Sequence, residues 1–219
     1  LIGLILGAIL GCFAGIVIAK TNIPPFIMTL GLQISLRGAA YLVCDGKPIG
    51  NLPKNMLNLG LGTVRGIPIP ILFMLGAFIV VGTILSKTVF GRSVYAVGGN
   101  YQAAHHSGIN AKRVITLAYT ISGILAALAG VILSARNASA QPTAGTAFET
   151  EAIAGCAMGG VSFSGGKGSV IGIFLGTLLM GIINNGMNLM YISSYWQLVV
   201  KGAIIVASVL YSIYSSKQK

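Results

Sequence analysis

The sequence predicts an all-α, polytopic integral membrane bundle of about six full spans plus one short or re-entrant helix. Three observations carry that prediction. The chain of 219 residues is 55% hydrophobic and 8% charged, with a mean hydropathy of +0.88, well outside the composition of soluble domains. Apolar runs at 1–19, 26–43, 69–86, 114–134, 169–190 and 197–214 each approach the roughly 20 helical residues that cross a hydrocarbon core. The 14 Lys and Arg, set against Asp45, Glu149 and Glu151 alone, lie almost entirely between or at the ends of those runs. That placement speaks of membrane topology, and no soluble basic face with stacking aromatics exists to bind nucleic acid.

In the first run, Gly3, Gly7, Gly11 and Gly15 recur every fourth residue, a ridge that lets a neighbouring backbone approach closely. Residue 1 is Leu, already inside an apolar run and without a basic leader before it, so the chain is expected to be a piece that lacks its true N-terminus. Pro24 and Pro25 follow Thr21 and Asn22, either of which can cap, and mark the start of the second span. Within that span Thr29, Gln33 and Arg37 form a ladder along one side. The proline-rich segment 45–68 that follows reads as an outer loop, either a docking surface or a plain connector. The span at 114–134 repeats the small-residue rhythm at Ser122, Ala126 and Gly130.

Thr146 and Glu149 have the spacing of a capping box, with Glu151 also near the positive end of the helix that follows. That role is preferred for both glutamates over a catalytic pair. The helix itself, within 148–163, is too short for a comfortable crossing and suits a short or re-entrant element. Gly168, Gly172 and Gly176 begin another ridge in the run at 169–190, which also carries Asn184 and Asn188 one turn apart, with Asn185 beside them. Tyr195 and Trp196 at one end of the last span and Tyr211 and Tyr214 at the other, about 24 Å apart, match two aromatic belts. Lys201, one to two turns into that span, can snorkel outward.

Orientation follows from the basic segment 87–113, which carries Lys87, Arg92, Lys112 and Arg113 and is placed in the cytoplasm by the positive-inside rule. Counting the short helix as a crossing puts Lys20, Lys87, Arg92, Lys112, Arg113, Lys167, Lys217 and Lys219 inside. Lys47, Lys54, Arg65 and Arg136 then lie outside.

No catalytic set assembles, which argues against an enzyme. His105 and His106 are adjacent, point to different sides of a helix, and have no carboxylate near in sequence to make a metal site. Cys12, Cys44 and Cys156 are far apart and odd in number, so they read as small buried residues. The stretch 164–170, "SGGKGSV", fails as a phosphate loop: Val161 stands where the first Gly is needed and Gly168 where Ser or Thr is needed. Any ATP used is therefore bound by another chain. The polar residues inside spans admit two readings, interhelical hydrogen bonds or a pore lining, and their amide-rich character suits a hydroxyl-rich solute better than an ion. Arg37 is the odd member of that set.

Six stretches carry a family resemblance: "PPFIMTLG" (24–31), "GRSVYAVGGNYQAAHHSGI" (91–109), "SAQPTAG" (139–145), "EAIAGCAMGGVSFSGGKGSVIG" (151–172), "NNGMNL" (184–189) and "SSYWQLVVKGAII" (193–205). Together they resemble the transmembrane permease subunit of simple-sugar ABC importers, of the ribose, galactose and xylose type. The resemblance implies one permease domain over 1–219, truncated at its N-terminus, with 87–113 as a cytoplasmic coupling loop that docks on an ABC ATPase subunit. Gly91, Gly98, Gly99, Asn100, Ala103, Ala104, Ser107 and Gly108 match the family there. It further implies a bacterial inner-membrane location, a second permease copy or relative, an extracytoplasmic sugar-binding protein, and ATP and Mg held by the ATPase, with no cofactor on this chain. Thr29, Gln33, Arg37, Asn184, Asn185 and Asn188 are the candidates for the translocation pathway. Phe148 and Glu151 depart from the family's usual Tyr and Asp. The competing expectations are a nucleoside or branched-chain amino acid permease of the same superfamily, and an ATP-independent carrier or channel.

Overall fold

The structure, a computed structural model, describes residues 1–21 and 23–217, with side chains other than those of Val209 and of residues 211–217. Asn22 as a cap, Tyr211 and Tyr214 as the second aromatic belt, and the basic tail residues Lys217 and Lys219 thus lie outside what is described. Ten helices and one two-stranded hairpin make up the described fold, and the chain divides into two compact units. Leu1–Val97 and Gln102–Gly145 form the first unit, and Gly98–Tyr101 and the chain from Thr146 onward form the second.

In the first unit α1 (Ile2–Thr21) packs along α7 (Ala111–Arg136). The α1 glycine ridge makes this possible: a Cβ on Gly7 would fall 2.5 Å from the Gly123 carbonyl oxygen, and one on Gly15 would fall 2.7 Å from the Thr116 Cα. The facing row on α7 is Thr116, Tyr119, Thr120, Gly123 and Ala127, not the predicted Ser122, Ala126 and Gly130. Gly130 meets nothing within 4 Å, while Ser122 and Ala126 line a separate cleft. Both rows are rich in small residues, so composition does not choose between them; the steps of three and four from 116 follow the helix period, whereas strict fours drift off it. We expect Gly123→Leu to cost about 3 kcal/mol or more, because no rotamer fits between two contacting backbones. A thermal-aggregation midpoint of the purified variant equal to that of the parent would contradict this packing.

The second span, α2 (Pro25–Cys44), opens with Pro25 in its first turn as expected, but its N-cap position is Pro24 and has no side-chain cap. Thr21 instead donates its hydroxyl back to the Val17 carbonyl at 2.6 Å, the local bond that a threonine in a last turn favours. Segment 45–68 is more ordered than a loop. It holds α3 (Lys54–Leu61) and a hairpin of β1 (Thr63–Val64) and β2 (Ile67–Pro68), whose turn residues Arg65 and Gly66 both have positive φ. Gly60 lets α3 lie against the backbone of Ala135 and Arg136 at the end of α7. Ile49 and Ala140 exchange backbone hydrogen bonds of 2.8 and 2.9 Å, tying the segment down at a second point. The spans continue with α4 (Ile69–Lys87), followed by two shorter helices, α5 (Val89–Gly99) and α6 (Tyr101–His106).

In the second unit α8 (Phe148–Met158) packs on α9 (Val170–Leu189) and on α10 (Ser194–Lys217). Gly155 of α8 and its C-cap Gly159 meet Gly172, Ile173, Gly176 and Thr177 of α9, so Gly172 and Gly176 of the predicted ridge pack closely, whereas Gly168 precedes α9 and meets Val161. With 11 residues α8 is about 16 Å long, half of a hydrocarbon core, which agrees with a short element. Among the described residues α1, α2, α4, α7 and α9 are long and apolar enough to cross a membrane. The sixth predicted span corresponds to the 24-residue α10, at whose start Tyr195 and Trp196 are exposed.

Candidate functional site

The basic segment between α4 and α7 is built by glycines that let the backbone fold tightly. Thr88 donates its hydroxyl to the Ile84 carbonyl at 2.6 Å and accepts from the Gly91 N–H at 3.1 Å, so α5 starts one residue after α4 ends. Gly91 is buried against the Ile84 and Leu85 backbone, where any side chain would collide. After α6, Gly108 at φ +81° donates to the His105 carbonyl, and Ile109 donates to that of Ala104, both at 3.1 Å. These two bonds are the glycine-dependent helix stop of a Schellman motif. Asn110 then accepts from the Arg113 N–H at 3.1 Å and starts α7.

Gly98 and Gly99, at the end of α5, meet Gly165 and Gly166 of the loop after α8. A Cβ on Gly98 would lie 2.7 Å from the Gly166 nitrogen, and one on Gly166 would lie 2.5 Å from the Gly99 Cα. Gly165 and Gly166 both have positive φ, and the Ser162 N–H donates to the Lys167 carbonyl at 3.0 Å to close the loop. The "SGGKGSV" stretch that fails as a phosphate loop is therefore a backbone-to-backbone seat for the end of α5.

The matched residues of this segment divide into two sets. Gly91, Gly98, Gly99 and Gly108 shape the chain, and Ala104, 4% exposed, is packed within it. Asn100, Ala103 and Ser107 are exposed at spacings of three and four, which puts them on one face of the α6 turn. His105 and His106 are also exposed, with ring centres 6.0 Å apart in edge contact. Among the described residues no group of three His, Cys, Asp or Glu side chains comes together, and all three cysteines are free.

A polar cluster lies where α8, α9 and α10 meet. Lys201 Nζ stands 2.5 Å from Glu151 Oε1, and Asn184 donates its amide to the same oxygen at 3.4 Å. The Lys201 side chain is 17% exposed and that of Glu151 34%. The Asn184 Oδ1 atom is buried without a hydrogen-bond partner. One turn further on, Asn188 accepts from the Gln197 amide at 2.9 Å, while Asn185 is exposed. Two sequence expectations are corrected by this arrangement. Lys201 does not snorkel: its ammonium is paired with the Glu151 carboxylate, as a charge withdrawn from water requires. The N-cap position of α8 is Ala147, in the left-handed conformation, and not Thr146 as a capping box would require, and Glu151 faces Lys201.

On α2, Thr29, Gln33 and Arg37 are half-buried, and Thr29 donates to the carbonyls of Pro25 and Phe26 at 3.0 and 3.2 Å. Arg37 has no carboxylate partner among the described residues. Sequence reasoning missed the Glu151–Lys201 pair, although a lysine inside an apolar span and a carboxylate in the short helix were both visible.

Residues 1–209 match the family described as branched-chain amino acid transport system / permease component. The ribose import permease protein RbsC of Bacillus subtilis (strain 168) is 46% identical over 198 residues, which is 90% of this chain and 62% of that protein. The protein of the same name from Haemophilus influenzae (strain ATCC 51907 / DSM 11121 / KW20 / Rd) is 41% identical over 99% of this chain and 68% of its own length. The D-allose transport system permease protein AlsC of Escherichia coli (strain K12) is 39% identical over 94% of this chain and 64% of its own. The chain thus spans about two thirds of the length of these relatives, and no solved structure matches it. With the match running through nearly all of its helices, the chain belongs to the branched-chain amino acid transport system / permease component family.

Proposed function

We propose that this chain is part of the membrane permease subunit of an ATP-binding-cassette importer that moves a monosaccharide of the ribose, galactose or xylose class inward. The observation that carries the reading is that relatives matched over at least nine tenths of this chain are named for ribose import or for D-allose or L-arabinose transport. The amide-rich cluster of Asn184 and Asn188 beside one ion pair supports it, since neutral donors and acceptors suit a polyhydroxylated solute.

The mechanism is alternating access in a bacterial inner membrane. A sugar-binding protein delivers the solute to the outer face, and two permease copies, or two related ones, form the pathway between them. ATP and Mg sit on a partner ATPase, whose closure displaces α6. Because the residues just before α6 are seated on the loop between α8 and α9, displacement at Gly98 and Gly99 is passed to the helices that carry Glu151 and Asn184. Thr29, Gln33, Arg37 and Asn185 remain further pathway candidates.

The test is reconstitution of the full permease with its ATPase and binding protein and assay of labelled pentoses, hexoses and leucine. The reading requires sugar uptake that stops when the ATPase is omitted. Uptake by the permease alone would make it an ATP-independent carrier, and uptake of leucine in preference to every sugar would favour the family's amino acid description.

For the docking face we expect Ala103→Glu to abolish co-purification with the ATPase while membrane insertion stays normal, since a charge there enters an interface of small residues. Undiminished co-purification would overturn the assignment. Ala104 is the wrong place for that test, because its burial makes any charge there a folding defect.

A further inference from the structure

We propose that the cleft between the end of α1 and the start of α7 holds the headgroup of an anionic phospholipid. Lys20, Lys112 and Arg113 line this cleft together with Ile16, Ala19, Thr116 and Leu117. All three cations are exposed, and among the described residues none is paired with a carboxylate. The whole chain has only three acidic residues, of which Asp45 is beside Lys47 and Glu151 beside Lys201. Among the described residues, therefore, no carboxylate compensates the positive charge at the cleft.

The layering of the cleft matches a phospholipid and not a free anion. Ile16 and Leu117, 39% and 51% exposed, lie one turn deeper in the apolar spans than Lys20 and Arg113, and so present bare hydrocarbon directly beneath the charges. An acyl chain can lie on that wall while its phosphodiester meets the ammonium groups and the Arg113 fork, which takes phosphate oxygens in pairs. The walls are preorganised: Gly15 sits on the Thr116 backbone so closely that the two helix ends cannot drift apart without losing their main contact. Lys112 also lines the neighbouring cleft formed by His105, Gly108, Ile109, Asn110 and Ala111. A lipid held at Lys112 would thus steady the joint at which α6 turns into α7, and the inference stands whatever solute the permease carries.

The experiment uses the assembled full-length transporter in nanodiscs of phosphatidylcholine with and without phosphatidylglycerol, followed by native mass spectrometry of retained lipid. Phosphatidylglycerol should be retained in preference to phosphatidylcholine. The Lys20→Gln, Lys112→Gln, Arg113→Gln variant should retain it roughly tenfold less or weaker still, given the attraction of each basic side chain to an anionic lipid. The Lys87→Gln, Arg92→Gln control should retain it as the parent does. Equal retention by the triple variant and the parent overturns the proposal, as does displacement by millimolar inorganic phosphate alone, which would mark a plain anion site. Should the triple variant not assemble, a photoactivatable phosphatidylglycerol on the parent decides the matter. Crosslinks within 16–20 and 112–117 support the site, and crosslinks that avoid both stretches, as they must if a partner chain covers the cleft, overturn it.

Discussion

Lys201→Met in the assembled transporter should lower sugar uptake at least tenfold and destabilise the complex by about 1–3 kcal/mol. The substitution strands the Glu151 carboxylate, whose remaining hydrogen-bond partner among the described residues is the Asn184 amide at 3.4 Å. Removal of one member of a fully buried pair costs about 3–5 kcal/mol, and the partial exposure of Glu151 reduces that figure. The informative companion is the double variant Glu151→Gln, Lys201→Met, which removes both charges together. If the pair only holds α8 to α10, the double variant should recover stability and uptake together. The proposed pathway role requires recovery of thermal stability with uptake still impaired, because Glu151 and Asn184 then also meet the solute. A double variant that transports as the parent does would reduce the pair to a structural tie.

Gly166→Val should separate ATP hydrolysis from transport. A Cβ at that position would overlap the Gly99 backbone, and the φ of +73° adds a cost of about 1–2 kcal/mol for any L side chain. The seat between the end of α5 and the loop after α8 must then open. Expected is an ATPase that still associates and hydrolyses, since α6 keeps its exposed face, while sugar moved per ATP falls at least tenfold. Gly160 supplies the control, with φ +77° but nothing within 4 Å, so Gly160→Val carries the backbone strain without the collision. Equal coupling in the two variants would remove the seat from the mechanism.

The spans were legible because a membrane imposes a length on apolar runs, and the helices observed at Ile2–Thr21, Pro25–Cys44 and Ile69–Lys87 follow those runs within a few residues. The glycine ridges of α1 and α9 were legible for a related reason, since fourfold spacing of small residues has few uses in a lipid-facing helix other than close packing. What escaped was non-local or masked by composition. Glu151 and Lys201 are 50 residues apart in sequence, so no periodicity connects them, and each had an acceptable local role as helix-end acid or snorkelling base. The facing row of α7 was misassigned because two rows of small residues run along that helix. The hairpin in segment 45–68 was missed because Arg65 occupies a left-handed position that Asn or Asp would have advertised. In the candidate site, the glycines of the 91–108 stretch were identified from the family resemblance, but the structure alone separates those that shape the chain from the exposed Asn100, Ala103 and Ser107.

The proposed coupling requires that the exposed face of α6 lie in the cytoplasm, where an ATPase can push on it. The most direct measurement introduces Ala103→Cys into a full-length permease whose Cys12, Cys44 and Cys156 are replaced, and follows labelling by a membrane-impermeant maleimide. The account predicts no labelling in intact cells, rapid labelling in inside-out vesicles, and protection there when the ATPase is bound. Labelling from the outside of intact cells would contradict it, and the direction of transport and the site of ATPase docking would fall together.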